Sequence, residues 1–210
     1  MKASIEFFFD PISPFSYLAT TRIDELASRH GRKVIWRPTL VGVTVTKVMG
    51  LKPVPETPLK STYFARDAQR LAQIFGVPLR RHGLKNVNSL AACRAFLWVQ
   101  ERDDASARRL VRHLSARLWV DGIDITPRET VVAEAASLGI EVGDLSSEEV
   151  KHKLAAAVDY AIRKNVFGVP FFIADDEPFW GCDRMWMLDY WLATGRLPSF
   201  DDLLCRLFQD

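Results

Sequence analysis

The chain has 210 residues, of which 48% are hydrophobic and 26% charged, and a formal net charge of +2. This is a globular profile, one domain or one domain with a sizeable insertion. It gives no electrostatic reason to bind nucleic acid or an anionic membrane, and no apolar run approaches the roughly 20 residues of a bilayer span. Its three cysteines, Cys93, Cys182 and Cys205, stand far apart with no C-x-x-C pair, a usage that fits a reducing compartment and a cytoplasmic location.

Ser4 to Phe9 reads as a strand, and Phe7-Phe8-Phe9 marks burial on both faces, as in a central strand. This apolar stretch is too short for a secretory signal, and Asp10-Pro11 breaks it. Ser13-Pro14 is a strong helix start, with Ser as N-cap and Pro at the first helical position. That helix is expected to run to His30-Gly31, with Leu18, Ile23 and Leu26 inward, and Lys33 to Arg37 forms a second strand closed by Pro38. The result is a β-α-β unit with parallel strands and a right-handed crossover.

From Val41 to about Glu149 the pattern is helices and loops. Lys47 to Pro58 holds three prolines and is expected to be a loop; Leu59 to Phe75 is helical and stopped by Gly76-Val77-Pro78; Arg80 to Asn86 is a basic loop. Amphipathic helices are expected at Asn88 to Gln100, Ser106 to Trp119, Arg128 to Leu138 and Ser146 to Lys164. Thr126-Pro127-Arg128-Glu129 reads as a capping box, and Ser146 to Glu149 as a similar start. Strand signals return at Phe171 to Ala174 and Pro178 to Trp180, joined by a tight turn into an antiparallel hairpin. A last helix begins at Asp183 and ends near Ala193. The tail from Ser199 carries Leu203, Leu204, Leu207 and Phe208 on one stripe, facing the body or a second subunit.

The element order is β-α-β, a helical insertion, then α-β-β-α. This is an α/β, thioredoxin-like arrangement with residues 1–40 and 150–198 in a discontinuous domain, 41–149 inserted as a helical domain, and 199–210 as a helical tail. Three segments would meet: Ser13, Gly168-Val169-Pro170 and Trp180-Gly181-Cys182-Asp183. Pro170 at a strand entrance is either a trans edge-strand start or a cis proline facing the first helix, which would turn the Val169 N–H and C=O outward for an extended peptide. Ser13 reads as a cap or as a hydroxyl placed where thioredoxin-like enzymes hold a reactive sulfur. Ser13-Pro14-Phe15-Ser16 has hydroxyls at both sulfur positions, so the chain cannot exchange dithiols itself but can host another thiol. A helix N-terminus with a hydroxyl donor favours the thiolate. Glutathione, a small extended peptide with one thiol and a carboxylate at each end, is the candidate cofactor. Asp183 either caps its helix or receives the γ-glutamyl ammonium while the helix-start N–H groups receive the carboxylate. Cys182 is a small filler or a reactive thiol.

With these residues, the chain resembles the 2-hydroxychromene-2-carboxylate isomerases, relatives of the kappa-class glutathione transferases. The resemblance rests on Phe9-Asp10-x-x-Ser13-Pro14-Phe15-Ser16-Tyr17-Leu18-Ala19, Arg37-Pro38, Asn88-Ser89-Leu90-Ala91 with Arg94, Val166-Phe167-Gly168-Val169-Pro170, and Pro178-Phe179-Trp180-Gly181-Cys182-Asp183-Arg184. It implies a DsbA-like thioredoxin fold and a homodimer. It also implies a small aromatic substrate and glutathione as a recycled nucleophile, activated by Ser13, whose thiolate adds to the ring-opened substrate, permits rotation about the former double bond and is eliminated to leave trans-o-hydroxybenzylidenepyruvate. Val169 would then pair with the cysteinyl backbone, and Trp180, Gly181 and Asp183 would hold the γ-glutamyl end. Lys47, and also Lys52, lie where family members use a lysine on the substrate carboxylate, against the alternative of solvated lysines; Asn88 stands on the same side. Two departures fall there: Leu51 replaces a frequent Asn, and Val87 replaces a Tyr in Asn86-Val87-Asn88-Ser89. A kappa-like transferase or peroxidase and a non-catalytic thioredoxin-like binder are the alternative readings.

Overall fold

Three consecutive phenylalanines build the centre of the sheet. In the computed structural model, which describes residues 4–80 and 83–202, β1 (Ile5–Phe9) carries them, and all three are fully buried. Alternation of side chains along a strand sends them to different faces. Phe7 and Phe9 enter the large core with Trp36, Phe96 and Phe172, while Phe8 packs in a separate cluster with Ala161, Val166 and Phe171. Each such burial contributes about 1.5–3 kcal/mol.

Beside β1 lies β2 (Val34–Pro38), parallel and in register with Phe7 opposite Trp36. On its other side β3 (Phe171–Ala174) runs antiparallel, and β4 (Glu177–Trp180) closes the sheet, giving the order β2-β1-β3-β4. Both outer strands carry a proline, Pro38 in β2 and Pro178 in β4. Asp175 and Asp176, both at positive φ, make the tight β3–β4 turn. These are the parallel unit and the hairpin expected from the sequence, and the fold is thioredoxin-like, with the helical segments α3 to α6 inserted in sequence between β2 and α7.

The first helix is not continuous. α1 (Pro14–Thr20) stops, and α2 (Ile23–Arg29) restarts after Thr21 and Arg22. The Thr20 and Thr21 hydroxyls donate to the Tyr17 and Leu18 carbonyls at 2.6 and 2.7 Å. Such back-bonding competes with the helical ladder and bends it. A wide, π-type turn (Gly42–Val48) runs into the start of the segment expected as a loop, Lys47 to Pro58, which itself contains a 3-10 turn (Val54–Glu56).

Helices α3 (Lys60–Phe75), α4 (Leu90–Gln100), α5 (Asp104–Ala116), α6 (Arg128–Ser137), α7 (Glu148–Arg163) and α8 (Met185–Thr194) complete the described chain. α5 begins earlier than expected because Asp103 caps it through Ala105 N–H, and it ends at a second wide turn, Arg117–Asp121. α7 is capped by Ser147 rather than Ser146. The capping box at α6 does not form: Thr126 Oγ1 instead accepts the Asn88 N–H at 2.9 Å, joining the approaches to α6 and α4. Among the described residues no helix is long and apolar enough to cross a bilayer. The apolar stripe at Leu203, Leu204, Leu207 and Phe208 lies outside the described residues.

Candidate active site at the start of the first helix

Ser13 sits at the C-terminal edge of the sheet, in extended conformation (φ −90°, ψ 122°), and Pro14 opens α1 behind it. Its Oγ accepts the Ser16 N–H at 3.2 Å, so the cap forms as the sequence implies. A hydroxyl that accepts through its oxygen still has its proton to give. The Ser13 proton is directed at the carbonyl oxygen of Val169, 3.5 Å away. At that distance the bond is weak, and a better acceptor brought to the same place would take it.

The Val169–Pro170 peptide is cis, one of the two alternatives in the sequence. Both residues are buried, and Pro170 passes directly into β3. The Val169 carbonyl meets Ser13 rather than standing wholly free, while the Val169 N–H has no partner among the described residues. On the other side of Pro170, its carbonyl accepts the Gly181 N–H at 2.9 Å, which draws the end of β4 against the proline. Trp180 lies over Gly168 and edge-on to Phe167, with ring centroids 4.8 Å apart, and remains 53% exposed. A Cβ at Gly168 would stand 2.8 Å from the Trp180 Nε1, so that approach requires glycine. Gly181 has φ +99°, and a Cβ there would stand 2.2 Å from Asp183 Oδ1. The glycine lets the Asp183 carboxylate fold back over the chain, where Arg184 also meets it.

Cys182 is buried, and burial first, with Asp183 beside it, pushes its thiol up to about 12. It is a protonated, apolar filler at neutral pH rather than a nucleophile. It opens a 3-10 turn (Cys182–Arg184) that leads into α8, so the last helix starts two residues later than Asp183.

The residue whose reach the sequence concealed is Asp10. Read as the end of a strand, it is fully buried, and its carboxylate accepts the Ile12 N–H at 3.2 Å and the Val41 N–H at 2.8 Å. Burial raises its pKa from 3.8 to about 6, against the lowering effect of the Ser89 hydroxyl and those two N–H groups. Its backbone also takes part: its carbonyl accepts the Ser13 N–H at 2.9 Å, and its N–H donates to the buried Ser16 Oγ at 3.4 Å. Trp119 of the second wide turn donates to the Pro11 carbonyl at 3.2 Å, and Tyr17 of α1 donates to that of Pro78 at 3.3 Å, so the inserted segment is tied both to this turn and to the helix that follows it. The available signal was an acid placed directly after three buried aromatics.

The residues expected on the substrate side are less closely drawn in. Lys47 and Lys52 are exposed and make no ion pair among the described residues. The Asn88 side chain accepts the Leu90 N–H at 3.2 Å and so helps to cap α4. None of the three contacts Ser13 through a hydrogen bond among the described residues. The polar groups presented here are the Ser13 hydroxyl, the Val169 N–H, unpaired among the described residues, and the Asp183 carboxylate.

The chain is similar to known proteins over nearly its whole length. Residues 4–193 match the DSBA-like thioredoxin domain family. A 2-hydroxychromene-2-carboxylate isomerase of Pseudomonas putida is 30% identical over 92% of this chain and 95% of its own length. Glutathione S-transferase kappa 1 of Rattus norvegicus is 27% identical over 90% of each chain. A solved structure of a 2-hydroxychromene-2-carboxylate isomerase superposes with a TM-score of 0.79 at 28% identity, covering 97% of this chain and 96% of the other. The chain belongs to the DSBA-like thioredoxin domain family, and within it to the family of the 2-hydroxychromene-2-carboxylate isomerases.

Proposed function

We propose that the chain is a glutathione-dependent isomerase acting on 2-hydroxychromene-2-carboxylate or a closely similar small aromatic substrate. The observation that carries this reading is the Ser13 hydroxyl, whose oxygen is engaged by the Ser16 N–H while its proton faces Val169 over a weak 3.5 Å contact. Glutathione fits the residues present: the Val169 N–H, unpaired among the described residues, is available for the cysteinyl backbone, and Gly181 leaves the Asp183 carboxylate turned over the start of the last helix for the γ-glutamyl ammonium. When bound, glutathione supplies a thiolate that adds reversibly to the conjugated substrate and is released unchanged.

The chain's own part is to bind and to orient. Ser13 donates a hydrogen bond to the sulfur, and the α1 N-terminus adds its positive end, both of which favour thiolate over thiol. Val169 holds the central cysteinyl residue and Asp183 the γ-glutamyl end, so that the sulfur lies in front of Ser13. Lys47, with Lys52 as its neighbour in the same loop, meets the substrate carboxylate, and Asn88 stands on that side. Leaving both sulfur positions of the fold as hydroxyls keeps the bound thiol from being captured as a mixed disulfide with Ser13 or Ser16.

The likeness to the rat kappa transferase supports a second reading, in which the thiol is consumed in a product. One assay separates the two. Product formation from 2-hydroxychromene-2-carboxylate is followed with total free thiol measured in parallel. The isomerase reading expects turnover only with glutathione and a constant thiol concentration; thiol loss in step with product supports the transferase, and turnover without glutathione overturns both.

A further inference from the structure

We propose that Asp10 is a positioning residue that locks the Ser13 turn to the start of the wide Gly42–Val48 turn, keeping the thiol side of the site in register with the segment that carries Lys47. This rests on the glutathione reading above.

Asp10 is the point where three separate pieces of chain converge. One carboxylate oxygen holds the Ile12 N–H, one residue before Ser13, and the other holds the Val41 N–H, one residue before the wide turn. The Ser89 hydroxyl, at the start of α4, lies beside the same carboxylate. Its backbone meanwhile holds the Ser13 N–H and the Ser16 hydroxyl. An ionised carboxylate has only acceptors, so it serves both N–H groups at once. A protonated carboxyl, or the amide of an asparagine, turns one of the two oxygen positions into a donor and sets it against an N–H. One of the two ties is then lost, and the turn that presents Ser13 and the turn that carries Lys47 are no longer held by a common anchor.

The tie is therefore sensitive to pH. Burial places the Asp10 pKa at about 6, so it is intact above that value and released below it. Cys93 of α4 is the titratable group set against Asp10, and its thiol, held well above its ordinary range by burial and by Asp10 itself, stays protonated throughout. The Ser89 hydroxyl lowers the Asp10 pKa, so its removal moves the release to higher pH.

The test uses S-methylglutathione, which has no thiol proton to titrate, and calorimetric binding to the full chain between about pH 8 and pH 5. Wild-type affinity is expected to fall about three- to tenfold across an inflection near pH 6, whereas Asp10→Asn binds more weakly at pH 8 and without that inflection. Ser89→Ala supplies the same test if Asp10→Asn does not fold: its inflection is expected above the wild-type value. A flat wild-type profile, an inflection retained in Asp10→Asn, or one unmoved in Ser89→Ala overturns the assignment to Asp10. Absence of wild-type binding at every pH overturns the glutathione reading and this proposal with it.

Discussion

The Ser13 hydroxyl and the Val169 carbonyl oxygen lie 3.5 Å apart although 156 residues separate them in the chain. The contact joins the start of the first helix to the residue before the cis proline, and it is long enough for a better acceptor to take the proton. Replacing Ser13 by Ala removes both uses of the hydroxyl. Loss of the cap is expected to cost about 1 kcal/mol of stability. Loss of the donor is expected to lower kcat/KM with glutathione by about 100-fold and to raise the pKa of the bound thiol. Ultraviolet titration of the thiolate in the complex checks the second effect; an unchanged thiol pKa in Ser13→Ala would leave Ser13 as a cap alone.

Gly181 tests the γ-glutamyl end of the proposed site. Its φ of +99° strains any residue with a Cβ, and an added Cβ would meet Asp183 Oδ1 and push that carboxylate aside. Gly181→Ala is expected to displace the Asp183 carboxylate and to weaken glutathione binding about tenfold or more, with backbone strain of about 1–3 kcal/mol. Isothermal titration at neutral pH measures the affinity, and thermal melting measures the strain.

Cys182 tests the chemistry from the negative side. With its thiol pushed up to about 12 by burial, it is expected to stay unmodified by a thiol reagent in the folded chain at neutral pH and to react on unfolding. A Cys205→Ser background isolates the two buried cysteines, Cys93 and Cys182. Fast modification of Cys182 with loss of turnover would make it part of the mechanism.

Asp10 also governs stability, with a sign opposite to that of a salt-bridged carboxylate. Its folded pKa of about 6 lies above the unfolded value of 3.8, so between these pH values the native state keeps a proton that the unfolded chain releases. The stabilising contribution is complete below about pH 3.8 and is lost as pH rises through about 6, a change of roughly 3 kcal/mol. Asp10→Asn is expected to remove that limb, seen as the difference between wild-type and variant unfolding free energies across pH. A constant difference from pH 4 to pH 7 would contradict it.

The parts of the fold visible in the sequence were those set by local chemistry. Phe7-Phe8-Phe9 announced a doubly buried strand, Ser13-Pro14 a capped helix, and the apolar runs around Asp175-Asp176-Glu177 a hairpin. The parts that were not visible depend on distant partners or on side chains turning to the backbone. The break after α1 depends on two threonines bonding backward, which an apolar periodicity does not register. Thr126 looked like a helix cap, and only the folded chain brings Asn88, 38 residues earlier, to claim its hydroxyl. Asp10 looked like punctuation because Val41, 31 residues away, supplies half of its role. That Ser13, Val169 and the 180–183 segment are neighbours was legible because the order of elements fixes where they meet; the placement of Lys47 and Lys52 was not, since neither side chain is tied to another element among the described residues.

The prolines on the two outer strands bear on how copies of this chain could assemble. Pro38 and Pro178 each leave a position without an N–H, one on either flank of a four-stranded sheet. A neighbouring strand laid against either flank would meet a gap in its ladder. Growth of the sheet from molecule to molecule is thereby discouraged on both sides. A homodimer of this chain is therefore expected to join through side chains on its helices, and the backbone edges remain closed to fibre-like stacking.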